Sequence, residues 1–186
     1  MPAPEIIPFK TIGTTTLHMH VFRPDASGTD RRPAVVFFFC GGWNGFNATK
    51  LYPQSEYLAS RGMVCLNAEV RVRQHGTTPA ECVTDGKSAL RWARANAARL
   101  GLDPARLAAG GGSASGHVCA SLATIDGFDD PADDRTISCV PDACSFSIPA
   151  WTSPPPSGGS ASSAASSAPT PFRPWSMLNP VCRPRS

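Results

Sequence analysis

No run of about 18 apolar residues occurs in this chain, so the sequence offers no helix to span a membrane. Charge of one sign is never concentrated. Seventeen Lys+Arg against fourteen Asp+Glu leave +3, and the basic residues of 71–106 are scattered. That scatter excludes a nucleic-acid-binding run. The start, Met1-Pro2-Ala3-Pro4-Glu5, lacks a basic segment followed by an apolar one, so no signal peptide is read and a cytoplasmic protein is expected. None of the seven cysteines (Cys40, Cys65, Cys82, Cys119, Cys139, Cys144, Cys182) forms a CxxC pair or a Cys/His cluster at metal spacing. No metal is therefore expected. Lying mostly inside apolar runs, they read as small buried hydrophobes in a reducing compartment. Internal repeats are absent. From Thr152 to Thr170 aromatic and charged residues are both missing, leaving almost only Ser, Pro, Ala and Gly. Such a stretch cannot bury enough surface to offset its ordering entropy, so 151–186 is expected to be a disordered tail.

What is present, over residues 1–150, is an alternation of buried strands and helices sufficient for one core. Leu17-His18-Met19-His20-Val21-Phe22 alternates and stops at Arg23-Pro24, as a strand does. Ala34-Val35-Val36-Phe37-Phe38-Phe39-Cys40 and Met63-Val64-Cys65-Leu66-Asn67-Ala68 are continuous apolar runs that suit strands covered on both faces. Tyr52 to Ser60 has a helical pattern. Ala80 to Leu100 is the clearest helix, with Val83, Gly86, Leu90, Ala93, Ala97 and Leu100 on one face and Gly101 as its stop. A further strand is read near 139–148. Strand, helix, strand, helix, strand, turn, helix implies right-handed crossovers: an α/β fold with a doubly wound, mostly parallel sheet in a three-layer sandwich.

Two glycine-rich turns follow two of these strands. Phe39-Cys40-Gly41-Gly42-Trp43-Asn44-Gly45 places bare backbone N–H groups at a strand's carboxyl end, where an oxyanion can be held. Gly110-Gly111-Gly112-Ser113-Ala114-Ser115-Gly116-His117 follows Ala105-Arg106-Leu107-Ala108-Ala109 and precedes an Ala/Leu-rich helical pattern. A serine among small residues at a strand-to-helix turn is what a nucleophile elbow requires. Gly111, Gly112, Ser115 and Gly116 read as steric permissions for that turn. A phosphate-binding reading fails: Ser115 breaks the dinucleotide spacing, and there is no Lys for a P-loop.

Together these turns resemble the esterase/lipase branch of the α/β-hydrolase superfamily with an HGGG-type loop, in its small acetyl- and feruloyl-esterase-like flavour. Glu69-Val70-Arg71, His75-Gly76-Thr77-Thr78-Pro79, Asp85 with Ala89-Leu90-Arg91-Trp92, and Gly101-Leu102-Asp103-Pro104-Ala105-Arg106 fall in family order, from about residue 8 to about 150. The resemblance implies a small ester as substrate, no cofactor, Ser113 as nucleophile, and oxyanion donors from Gly41, Gly42 and Ala114. Trp43, His75 and His117 would border the site. The chain departs from the pattern at Phe39 and Cys40, where the loop usually has His and the first Gly. It departs again at Ser115, in the second Gly position of G-x-S-x-G, where a strained turn is expected, and at Val70, where tyrosine is usual.

The triad order Ser, Asp or Glu, then His puts the acid and base after Ser113. Only His117 follows it, while His18, His20 and His75 precede it. His75 and His117 are read as loop or packing histidines, and Asp142 as the start of a strand rather than the acid. Residues 171–186 match no hydrolase segment as written, so the sequence reads as the front part of a longer fold, truncated or frameshifted after about residue 150. Weak turnover is then expected. A catalytically dead ligand-binding module and a peptidase or thioesterase of the same fold stay open beside the esterase.

Overall fold

The computed structural model describes residues 3–25 and 31–147. The tail expected over 151–186 lies outside them. In chain order the elements are β1 (Glu5–Ile12), β2 (Thr15–Phe22), β3 (Arg32–Phe38), β4 (Cys40–Gly41), β5 (Gly45–Phe46), α1 (Tyr52–Ser60), β6 (Val64–Ala68), α2 (Pro79–Ala95), α3 (Ala97–Leu100), β7 (Leu102–Gly112), α4 (Ala114–Thr124) and β8 (Ala143–Ser147). Six strands form one sheet in the order β1-β2-β6-β3-β7-β8, and β4 and β5 make a separate two-stranded ribbon. The pairs β6–β3, β3–β7 and β7–β8 are parallel, while β1–β2 and β2–β6 are antiparallel. Strand order departs from chain order because each parallel partner is reached by a helical crossover.

Helices cover both faces, giving the expected three layers. On one face Phe22, Val35, Phe37 and Cys65 pack with Ala59 and Leu58 of α1. On the other, Met19, Val21, Val36, Phe38, Leu66 and Ala109 meet Leu90 and Ala93 of α2 and Val118 and Leu122 of α4. All five residues of β6 are buried, which is why that segment reads as an unbroken apolar run.

α2 begins on a capping box. Ala80 N–H donates to Thr78 Oγ1 at 3.3 Å, Thr78 N–H donates to Glu81 Oε2 at 2.8 Å, and Pro79 takes the first turn. The single helix expected over 80–100 is two: α2 ends at Asn96, whose Nδ2 donates to the Trp92 carbonyl at 2.9 Å, and α3 follows. An Asn side chain that competes for a helix carbonyl supplies the break. The strand expected at 105–109 is longer at both ends, and β1 carries no alternation that announced it.

Buried charges lock α2 to its surroundings. Asp85, fully buried, accepts from Arg71 Nε at 2.8 Å, Arg71 Nη2 at 2.8 Å and Lys10 Nζ at 2.9 Å. Lys10 also meets Asp130 at 2.7 Å. Arg91 holds Asp129 at 2.5 Å and Asp133 at 2.9 Å. Asp142, read as a strand start, stands one residue before β8: its N–H donates to the Leu107 carbonyl and its Oδ2 accepts from Leu107 N–H, both at 2.9 Å. Arg94 steadies that carboxylate at 3.1 Å, so one Asp sets the β7–β8 register.

Candidate active site

The parallel core of the sheet decides where the two glycine-rich turns lie. β3 and β7 pair in parallel from Ala34↔Leu107 to Phe37↔Gly110, so their carboxyl ends emerge side by side. The loop after β3 and the elbow after β7 therefore share one end of the sheet, the usual place for ligands in open α/β sheets.

At the elbow, Ser113 has φ 55° and ψ −121° and caps the N-terminus of α4. That backbone is nearly reserved for glycine, and a serine held there signals strain kept for a purpose. The turn pushes Ser113 into solvent, while Ala114 next to it is buried. Ala114 opens α4, whose first N–H groups have no helical partner and carry the positive end of the helix dipole. Gly111 is sterically required, because a Cβ there would sit 2.6 Å from Ser115 Cβ and 3.0 Å from its carbonyl carbon. The strained turn expected here is present, and Ser113 takes its positive φ while Ser115 already lies within α4.

In the loop after β3, Gly42 and Trp43 have successive positive φ values of 55° and 58°, and Asn44 N–H closes the turn on the Gly41 carbonyl at 3.0 Å. Gly41 and Gly42 are both exposed. The loop is held from two sides. Cys40 N–H donates to Ser115 Oγ at 2.9 Å, and the Trp43 carbonyl accepts Arg73 N–H at 2.8 Å. Asp85 stands behind that second contact, since its Oδ2 accepts Arg71 N–H at 2.9 Å and so fixes the segment that carries Arg73.

Trp43 and His117, both expected neighbours of the site, meet edge to face with ring centroids 5.5 Å apart. The Trp43 indole N–H is buried without a partner among the described residues. His75 is exposed, and its Nδ1 accepts Val72 N–H at 3.0 Å. His18 and His20 are spent elsewhere: Glu69 takes His18 Nδ1 at 2.9 Å and His20 Nε2 at 3.3 Å, and Tyr52 meets His20 Nδ1 at 2.6 Å. Burial raises Glu69, but hydrogen bonds from His20 and His18 outweigh it and leave the carboxyl below its usual range. Cys82 Sγ donates to the Arg71 carbonyl at 2.8 Å, and Cys40 Sγ lies 3.5 Å from Ser115 Oγ.

Sequence reasoning missed Ser115 as a hydrogen-bonding residue and Lys10 as a partner of Asp85. Both contacts join residues 75 apart in the chain. Only the unexpected hydroxyl in a glycine position pointed to the first.

A mostly parallel sheet between helical layers, with a strained serine elbow beside a glycine-rich loop, defines an α/β hydrolase. The chain belongs to the BD-FAE family, whose model matches residues 19–145. Esterase LipC of Mycobacterium tuberculosis is 36% identical over 103 residues, 55% of this chain and 25% of LipC. Carboxylesterase NlhH of the same species is 31% identical over 115 residues, 61% of this chain and 35% of NlhH. The apo form of Thermogutta terrifontis esterase 2 superposes with a TM-score of 0.75 at 41% identity, over 80% of this chain and 56% of that one. The same esterase phosphorylated by paraoxon gives 0.76 at 40%, over 80% and 58%. This chain thus spans a quarter to a third of those curated relatives and a little over half of the solved esterase. Among the described residues no helix is long and apolar enough to cross a membrane.

Proposed function

We propose that this chain carries the acyl-binding half of a serine carboxylic ester hydrolase for small acyl or acetyl esters. The observation that carries the reading is Ser113 at φ 55°, exposed between β7 and α4 beside the loop of Gly41 and Gly42. Ser113 Oγ attacks the ester carbonyl carbon, and the carbonyl π electrons move onto oxygen. The N–H groups of Gly41, Gly42 and Ala114 hold the resulting oxyanion. Collapse breaks the ester C–O bond; the departing alkoxide takes up the proton that Ser113 Oγ released and leaves as the alcohol, and water then hydrolyses the acyl-serine to the acid and free Ser113.

The serine needs a base to take its proton, and none of the four histidines hydrogen-bonds the Ser113 hydroxyl among the described residues. His18 and His20 serve Glu69, His75 serves Val72, and His117 lies against Trp43. This favours a second reading, a module that keeps the acyl site but turns little over. The peptidase or thioesterase alternative shares the same acyl-serine step.

A fluorophosphonate probe separates these readings. Labelling of the native chain that Ser113→Ala abolishes supports the nucleophile; equal labelling of both proteins refutes it. Ser113-dependent hydrolysis of p-nitrophenyl acetate then marks an esterase, and labelling without turnover marks the silent module.

A further inference from the structure

We propose that Ser115 is a positioning residue for the oxyanion loop, its hydroxyl fixing the direction of the Gly41 and Gly42 N–H groups through Cys40. The proposal rests on the reading of Ser113 and that loop given above. In a G-x-S-x-G elbow the position two after the nucleophile is glycine, which has no hydrogen-bonding side chain. Here a serine fills it, 1% exposed, and its Oγ accepts the Cys40 N–H at 2.9 Å. Cys40 is also 1% exposed, and it stands where the loop pattern has its first glycine. Its Sγ lies 3.5 Å from the same Oγ, so the two departures from the pattern touch each other.

The bond sits at the root of the loop. The β3 ladder to β7 ends at Phe37, and its ladder to β6 ends at Phe38. The Cys40 N–H beyond them is buried and needs an acceptor. Directly after it, the Cys40 carbonyl takes Trp43 N–H at 3.4 Å and the Gly41 carbonyl takes Asn44 N–H at 3.0 Å. Rotation of the Cys40 peptide is therefore passed into the tight turn holding Gly42. The far side of the turn is pinned by Arg73 N–H on the Trp43 carbonyl at 2.8 Å and Gln74 N–H on the Asn44 carbonyl at 3.3 Å, and β4 pairs with β5 inside the loop; Ser115 is the side chain that ties the loop's root to α4. Gly111 makes the reach possible: with a side chain at 111, Ser115 Cβ would lose its place, the two being 2.6 Å apart.

Four proteins test this: wild type, Ser115→Ala, Ser115→Gly and Ser115→Thr. Ser115→Gly restores the elbow's usual residue and is the variant that folds if Ser115→Ala does not. Losing one hydrogen bond to a buried N–H is expected to speed amide exchange at Cys40 about tenfold in the Ala and Gly proteins. In both, kcat for p-nitrophenyl acetate and the rate of Ser113 phosphonylation fall about 10- to 100-fold per folded molecule, with KM within about twofold. Ser115→Thr keeps the Oγ and recovers part of both losses. A lower melting temperature with unchanged kcat and phosphonylation per folded molecule means a structural role only and overturns the proposal. Wild-type exchange at Cys40 in Ser115→Gly overturns it as well. A wild-type protein without Ser113-dependent labelling overturns the nucleophile reading itself, and this proposal with it.

Discussion

Replacing Ser113 by glycine is expected to stabilise the protein while removing its proposed nucleophile. Ser113 holds φ 55° and ψ −121°, a region where a Cβ clashes with its own backbone. Such strain costs about 1–3 kcal/mol. Glycine removes it but loses roughly 0.4–1 kcal/mol more entropy on folding than a residue with a side chain. The balance is a gain of about 1 kcal/mol, or about 2–4 °C in melting temperature for a chain of this size. Ser113→Ala is the control that isolates the backbone. It deletes the same hydroxyl, which is exposed, yet keeps the Cβ and the strain. Its stability should stay within about 0.5 kcal/mol of wild type. Thermal and urea unfolding of the three proteins, followed by circular dichroism, measure both differences. If Ser113→Gly melts at or below Ser113→Ala, no strain is stored at the elbow, and its backbone ceases to mark a functional site.

Gly111→Ala drives a methyl to 2.6 Å from Ser115 Cβ and 3.1 Å from the Ser115 carbonyl oxygen, atoms that cannot yield without moving α4. A loss of about 1–3 kcal/mol in urea unfolding is expected, together with slower phosphonate labelling of Ser113. Asp85→Ala strips Arg71 and Lys10 of a fully buried carboxylate. It should cost about 3–5 kcal/mol, read as a fall of about 6–20 °C in melting temperature. Hydrogen bonds from Arg91 to Asp129 and from Lys10 to Asp130 hold both carboxyls below their ordinary 3.8. Near and below that value the unfolded chain binds more protons than the folded one. Their stabilisation is therefore complete above about pH 5 and is lost as pH falls below 3.8 through the lowered folded values, and urea melts from pH 7 to 2 that stayed level would contradict it. Burial pushes the Cys65 thiol up to about 12, so at pH 8 a disulfide reagent should reach it only after unfolding, as mapped by mass spectrometry.

The sequence by itself determined the sheet's parallel core, the two glycine-rich turns and the elbow serine, because each is written in neighbouring residues. Apolar runs such as 34–38 and 64–68 have only one use in a layered fold, between helices. Gly-rich segments after strands can only be tight turns. Strand β1 was not legible, since half-buried edge residues need no strict alternation. The division of the long helix at Asn96 was missed because an Asn side chain's choice of carbonyl is local geometry, not periodicity. Tertiary structure alone decided that Lys10 meets Asp85, that Glu69 occupies His18 and His20, and that Ser115 receives the Cys40 N–H. These pairs are joined across 49 to 75 residues by crossovers of the sheet, and composition cannot say which buried polar atoms will face each other. It also decided which residue of the strained turn takes the positive φ, Ser113 and not Ser115, because α4 begins at Ala114.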